Sequence, residues 1–267
     1  MTSPRTVIVI PARYESSRYP GKPLVGLKGA GGQPKSLIQR TFEAAERVAG
    51  LASIHVVTDD DRIAAAAQGF GAPVLMTSAG CRNGTERCAE ALAQLDDPDL
   101  VVNIQGDALL TPAHFIEALI ERMRSGDAEV ATPAMRLTSA EVRALQQDEA
   151  AGRVGGTSVV TGNSGHALYF SKRLLPHLPK GALDGELSPV RLHVGVYAYR
   201  PEALAAYAAT PPAELEILEG LEQLRFLAAG IPVAVVEVER PPFALRELNN
   251  PEDVAPIEEA LASAGLE

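Results

Sequence analysis

Thr6-Val7-Ile8-Val9-Ile10-Pro11-Ala12-Arg13-Tyr14-Glu15-Ser16-Ser17-Arg18-Tyr19-Pro20-Gly21-Lys22-Pro23-Leu24 is an apolar run that stops at a proline and gives way to a polar, basic loop. Residues 6–10 are rich in Val and Ile without polar alternation, the pattern of a strand covered on both faces of its sheet. Similar runs recur at residues 54–58, 73–76 and 100–104. Between them, residues 36–48, 60–69 and 85–95 place apolar side chains at helical spacing. This alternation predicts a βαβ series on a parallel sheet. A loop leaving the C-terminal end of the first strand of such a sheet lies where ligands of open α/β folds collect. Arg13, Arg18 and Lys22 bring three positive charges into that loop, and Ser16, Ser17 and Gly21 let backbone amides turn toward an anion. The combination suits a triphosphate, although a basic loop standing alone also reads as merely solvated. Neither the spacing of a Walker loop nor the Gly-x-Gly-x-x-Gly fingerprint is present.

Further along, Thr111-Pro112 is a helix start, with the helix running to about residue 124, and a strand follows at 129–133. Gly162-Asn163-Ser164-Gly165 joins two expected strands, 158–161 and 166–170, as a hairpin. Residues 176–189, rich in Pro, Gly and Leu, read as a loop serving as a substrate lid or a dimer-facing insertion. Then come a strand at 193–199, a helix at 214–229, a strand at 233–238 and a closing helix at 250–264. No internal repeat is visible.

The 267 residues fit one α/β domain with an elaboration. With 46% hydrophobic residues, 4% aromatic and no Trp, the core is expected to be aliphatic. A net charge of -10 argues against nucleic acid as a partner, so an anionic substrate must meet a local cluster of Arg, Lys or metal. No stretch of about 18 apolar residues occurs, which gives no membrane association and a soluble, cytoplasmic reading. Cys81 and Cys88 are too few for a disulfide framework or a zinc site and read as reduced thiols.

Several blocks then line up in order: Ile8-Val9-Ile10-Pro11-Ala12-Arg13 with Pro20-Gly21-Lys22-Pro23-Leu24, Val57-Thr58-Asp59, Asn83-Gly84-Thr85-Glu86-Arg87, and Val102-Asn103-Ile104-Gln105-Gly106-Asp107. Ala167-Leu168-Tyr169-Phe170-Ser171, His193-Val194-Gly195-Val196-Tyr197, Leu215-Glu216 through Leu224-Arg225, and Asn250-Pro251-Glu252-Asp253 follow. The ordered set resembles the CMP-Kdo synthetases, the 3-deoxy-manno-octulosonate (Kdo) cytidylyltransferases. The resemblance implies a Rossmann-like nucleotide-diphospho-sugar transferase fold, with a mostly parallel central sheet and a smaller sugar-binding and dimerisation elaboration. Within a single domain spanning 1–267, residues 1–135 would bind nucleotide, 136–230 would form the elaboration, and 231–267 would return to the main sheet. The implied reaction moves CMP from CTP to the anomeric hydroxyl of Kdo or a close acidic sugar, with Mg²⁺ as cofactor and pyrophosphate released. The product would feed lipopolysaccharide, capsule or another glycan.

By the same resemblance, Lys22, Arg13 and Asp107 are the catalytic candidates, and Pro11, Ala12, Arg13, Lys22, Asn83, Thr85 and Arg87 surround the nucleotide. Gln105, His193, Tyr197, Glu222 and Gln223 would face the acceptor, and Asp107 and Asn249 would hold the metal. Each has a plainer reading: Asp107 as a turn residue, Arg87 as a surface charge on a helix, His193 and Tyr197 as core or surface groups. A homodimer is implied, with the strand containing His193 and the 214–229 helix at its interface.

The sequence also departs from the family. Ala108-Leu109 stands where Glu-Pro usually follows the metal-bearing Asp, and Asn249 stands where a second metal-binding Asp is expected. Asn offers a carbonyl oxygen but no charge, so metal affinity should fall. Arginines that could clamp the acceptor carboxylate are also missing, which leaves Arg173 or Arg191 for that task. The open alternatives are a paralogue activating another ulosonic acid or a phosphonate, and a non-catalytic nucleotide-binding protein.

Overall fold

The computed structural model describes residues 4–16 and 18–266, so Ser17 of the expected anion-binding loop lies outside the described residues. The first half contains β1 (Thr6–Pro11), β2 (Gly26–Lys28), β3 (Pro34–Ser36), α1 (Leu37–Ala45), β4 (Ser53–Thr58), α2 (Asp61–Gly69), β5 (Val74–Met76), α3 (Gly84–Ala91), β6 (Leu100–Ile104) and α4 (Ala113–Arg124). It continues with β7 (Val130–Thr138), α5 (Ser139–Ala150), β8 (Ser158–Thr161), β9 (Ala167–Ser171), β10 (Leu187–His193), β11 (Val196–Tyr199) and α6 (Pro201–Ala209). α7 (Glu214–Glu219), α8 (Leu224–Ala228), β12 (Val233–Glu237) and α9 (Val254–Ser263) complete it. Side-chain caps fix several helix starts. Ser36 accepts from Gln39 N–H, Asp60 from Arg62 and Ile63 N–H, and Asn83 from Glu86 N–H, while Thr138 and Glu141 form a reciprocal capping box.

One large sheet runs β5-β4-β1-β6-β11-β7-β10-β8-β9, with β12 added against β7. Strands β1, β4, β5, β6, β7, β8 and β12 point one way, and β9, β10 and β11 oppose them. The sheet is therefore largely parallel, and wholly so from β5 to β6. Every residue of β1 and β6 is buried. Ile8, Ile10, Val56, Val102 and Ile104 pack on one face against Ile38, Phe42, Ile63, Ile116 and Leu119. Val7, Val9, Val57 and Val101 pack on the other against Cys88, Ala91, Leu204, Tyr207 and Phe226. Each such aliphatic side chain contributes roughly 1.5–3 kcal/mol by leaving water, which is why this half reads clearly as buried strands.

Three boundaries differ from the sequence reading. The run 193–199 is two strands, interrupted at Val194-Gly195: β10 pairs with β7 and β8, whereas β11 slots between β6 and β7. Residues 187–189, read as the end of a loop, belong to β10. The 214–229 helix is broken at Gly220, whose left-handed φ of 61° ends α7. Helices α5 and α6 are additional. α5 carries few apolar residues and α6 is Ala-rich all round, so neither shows a strong apolar stripe. No described helix is long and apolar enough to cross a membrane.

Candidate active site

Strands β1, β4 and β6 end side by side, with Pro11 opposite Val57 and Val9 opposite Asn103. The loop after β1 folds back on itself: Gly21 N–H donates to Tyr14 O, and Lys22 N–H donates to Tyr19 O. Gly21 has φ 73° with the Tyr14 ring packed 3.1 Å from where a Cβ would sit, so this bend is confined to glycine. Lys22 is thereby aimed across the sheet end, and its Nζ meets Asp107 Oδ2 at 2.5 Å. Arg62 stacks on Tyr14 while pairing with Asp60. Arg18 donates to Asn249 Oδ1 at 2.8 Å. Arg13 is exposed and pairs with no described residue. Lys22, Asp107, Arg18 and Asn249, spread over more than 200 residues of chain, thus meet around one cleft, with Arg13 on the loop that forms its wall.

The side chains of the 83–87 block are engaged with protein partners. Asn83 caps α3 with its Oδ1 and donates its Nδ2 to Tyr207 Oη at 2.9 Å. Thr85 is fully buried. Its hydroxyl pairs with that of Tyr199 at 3.0 Å and its N–H donates to Glu222. Arg87 is buried too, against Asp59 and Thr77, and is no surface charge. These polar groups are already used internally, so the block supports the cleft floor.

Among the acceptor candidates, Gln105 and Glu222 meet: Gln105 Nε2 donates to Glu222 Oε1 at 3.0 Å. Burial raises the Glu222 carboxyl, against the Thr85 hydrogen bonds that lower it. His193 and Tyr197 belong to an aromatic column, His193–Tyr197–Tyr199–Phe226–Tyr207, with neighbouring ring centroids 4.7–5.7 Å apart. The Thr132 hydroxyl lies 2.8 Å from Val196 O and 2.9 Å from His193 Nε2 and links the two. Burial pushes the His193 pKa down to about 3. Gln223 is buried with Nε2 unpaired, and Asn103 is fully buried with both amide atoms unpaired. Gln223 and Tyr197 are therefore reachable by an acceptor only at a deeply recessed surface. Arg173 pairs with Glu149 and Arg191 with Glu237, so both proposed carboxylate clamps are engaged elsewhere.

Glu247 is a cleft residue that the sequence did not single out. Its side chain is exposed to water. The neighbouring protein, followed by the like charge of Asp107, raises its carboxyl, while Lys22, Asn249 and Arg18 oppose the rise. Its only sequence signal was its position two residues before Asn249.

Comparison with known proteins agrees with this layout. A family profile described as Cytidylyltransferase matches residues 7–237. The 3-deoxy-manno-octulosonate cytidylyltransferase of Maricaulis maris is 38% identical over 96% of this chain and 97% of its own length. An 8-amino-3,8-dideoxy-manno-octulosonate cytidylyltransferase of Shewanella baltica is 40% identical over 96% and 98%. The solved structure of a CMP:2-keto-3-deoxy-manno-octonic acid synthetase complexed with CTP is 34% identical, with a TM-score of 0.82 over 97% of this chain and 99% of that one. A 4-diphosphocytidyl-2C-methyl-D-erythritol synthase from Anaerococcus prevotii, 15% identical with a TM-score of 0.60, shares the fold. The chain belongs to the cytidylyltransferase family, and within it to the CMP-Kdo synthetases.

Proposed function

We propose that this protein transfers CMP from CTP to the anomeric hydroxyl of Kdo or its 8-amino counterpart. The observation that carries this is the Lys22–Asp107 pair at the end of β1 and β6, beside the unpaired Arg13. The acceptor hydroxyl oxygen attacks the α-phosphorus and gives up its proton to solvent, the bond to the β-phosphate breaks, and negative charge grows on the departing pyrophosphate. Lys22 and Arg13 neutralise that charge in a partly enclosed cleft, where such stabilisation counts for more than in water. His193 holds its proton too weakly to act as a base near neutrality, so its part is to shape the acceptor wall with Tyr197.

Mg²⁺ fits the oxygen atoms available. Asp107 Oδ2 and Asn249 Oδ1 each already face a cation, Lys22 and Arg18 respectively, and both are hard oxygen donors. Held by Asp107 and Asn249, Mg²⁺ would supply positive charge to offset the negative charge of the phosphate oxygens. The two free thiols, Cys81 and Cys88, suit a reducing cytoplasm. Leu215, Ile217 and Leu218 on α7 and Leu168 on β9 are exposed apolar residues, which supports a homodimer contact on α7, part of the segment expected from the sequence, together with β9.

The test is pyrophosphate release from each of the four nucleoside triphosphates, with and without Mg²⁺, against Kdo, 8-amino-3,8-dideoxy-manno-octulosonate and other acidic sugars. CTP with one of the two octulosonates should turn over fastest. Tight CTP binding without turnover of any acid refutes the enzymatic reading.

A further inference from the structure

The segment joining β12 to α9 carries one of the two departures that weaken the expected metal site, Asn249, and it also compensates for both. Leu248 is fully buried among Leu27, Leu109, Leu110 and Ile257. With Leu248 turned into the core, its neighbours Glu247 and Asn249 face the cleft. Ala108 and Leu109, where the family pattern carries Glu-Pro, are buried too, so that turn has no second carboxylate to offer. Asn249 accepts from Arg18 through Oδ1, and its amide is among the groups that oppose the rise of the Glu247 carboxyl. Glu247 Oε1 reaches 3.9 Å from the point where a Cβ on Gly195 would stand, and Gln105 Cγ lies 3.9 Å from the same point. Glu247 therefore projects toward the 105–107 turn, where it meets the field of Asp107, Lys22 and Arg18.

Charge accounting gives this placement a consequence. In the protein alone, Lys22 and Arg18 balance Asp107 and Glu247, and the Lys22 ammonium sits on Asp107 as a cation. When a triphosphate draws Lys22 to itself, Asp107 is left beside Glu247 and incoming phosphate oxygens, all of one sign. A divalent cation resolves that repulsion, because hard oxygen donors of like charge converge on such ions. We propose that Glu247 supplies the second carboxylate of the divalent-cation site, restoring from two residues earlier the charge that Asn249 lacks. An Asp at 249 beside Glu247 would crowd a third carboxylate into the cleft, whereas Asn accepts from Arg18 without adding charge. Glu247 and Asn249 are thus a matched exchange. This inference rests on the cation use proposed above and deepens it.

The experiment titrates Mn²⁺ into the full-length protein with saturating CTP and no acceptor, reading enhancement of water-proton relaxation, for wild type, Glu247→Gln, and Glu247→Gln with Asn249→Asp. Glu247→Gln should weaken Mn²⁺ about tenfold or more, the scale of losing one supporting group at a metal. CTP affinity in EDTA should stay within twofold, and the double variant should recover most of the Mn²⁺ affinity. Mn²⁺ affinity unchanged within twofold in Glu247→Gln overturns the proposal. A loss that Asn249→Asp does not repair, or an equal loss of CTP affinity in EDTA, overturns it as well. Failure of the wild type to bind CTP would instead refute the proposed function, so the two outcomes are distinguishable.

Discussion

Gly106→Ala tests how tightly the two halves of the cleft are joined. Gly106 follows β6, and a Cβ there would stand 2.7 Å from Pro11 O and 3.6 Å from Ala12 Cβ. The first distance is shorter than carbon and carbonyl oxygen tolerate, and neither side yields easily. Gly106 O accepts from the Thr41 hydroxyl at 3.1 Å, and Ala12 N–H donates to Val57 O at 2.9 Å. Relief must therefore part the β1 loop from the β6 turn. Inserting one methyl into such a contact costs about 1–3 kcal/mol. For a chain of this length that lowers Tm by roughly 2–9 °C, taking about 2–3 °C per kcal/mol. The same displacement moves Arg13 and Lys22 relative to Asp107, so kcat/KM should fall about 10- to 100-fold at temperatures where the variant is fully folded. Differential scanning fluorimetry and pyrophosphate-release kinetics read the two effects separately. Gly26→Ala is the control, since its Cβ would make only an ordinary 3.6 Å contact with Pro34 Cβ. Gly106→Ala with unchanged Tm and unchanged kcat/KM would refute the account of a cleft joined at Pro11 and Gly106.

His193 makes stability depend on acid: the unfolded chain binds its proton near 6.5 and the folded protein only near 3, so stability is full above 6.5 and lost as pH falls. Between pH 7.5 and 5 the loss from His193 is at most about 2 kcal/mol, and His193→Gln should flatten the curve from urea unfolding by that amount; an unchanged slope contradicts the burial assigned to it. Lys22→Ala should lower turnover about 100-fold or more by removing charge at the leaving pyrophosphate, while Tm changes by no more than about 2 °C, as expected for a loop lysine with one ion pair. Arg225 is buried between Glu216 and Glu86 and lies over the Tyr207 ring. Arg225→Met should cost about 3–5 kcal/mol by stranding those carboxylates; a Tm within 2 °C of wild type would contradict it.

The half of the fold read most directly was the half with the simplest burial. The strands at 6–10 and 100–104 are buried throughout and show as near-continuous apolar runs, while 54–58 and 73–76, toward the sheet edge, are only partly covered yet remain mostly apolar. The 193–199 run misled because both its parts are strand-forming. What divides it is a change of pairing partner at Val194-Gly195, a tertiary event with no local signature. The Lys22–Asp107 meeting was foreshadowed by two motifs at the ends of neighbouring strands. Glu247 was not, because its role depends on Leu248 being pinned by Leu109 and Leu110, which are distant in sequence.

The 83–87 block clarifies what motif resemblance reports in this protein. Asn83 is committed to α3 and Tyr207, Thr85 to Tyr199 and Glu222, Glu86 to Arg82 and Arg225, and Arg87 to Asp59 and Thr77. The remaining position, Gly84, has no side chain, and a Cβ there would stand 2.8 Å from Gln105 Nε2. The block thus holds Gln105 and Glu222 together and leaves room for the Gln105 amide to lie across it. Its residue types are demanded by packing and hydrogen bonding, which permit few substitutions once buried. Among the described residues, the site candidates whose polar groups have no internal hydrogen bond or ion pair are the Arg13 guanidinium and the Tyr197 hydroxyl, which leaves them free to choose between substrates. A choice between the Kdo and 8-amino-Kdo acceptors of its relatives should therefore be sought at those few positions, outside the 83–87 block.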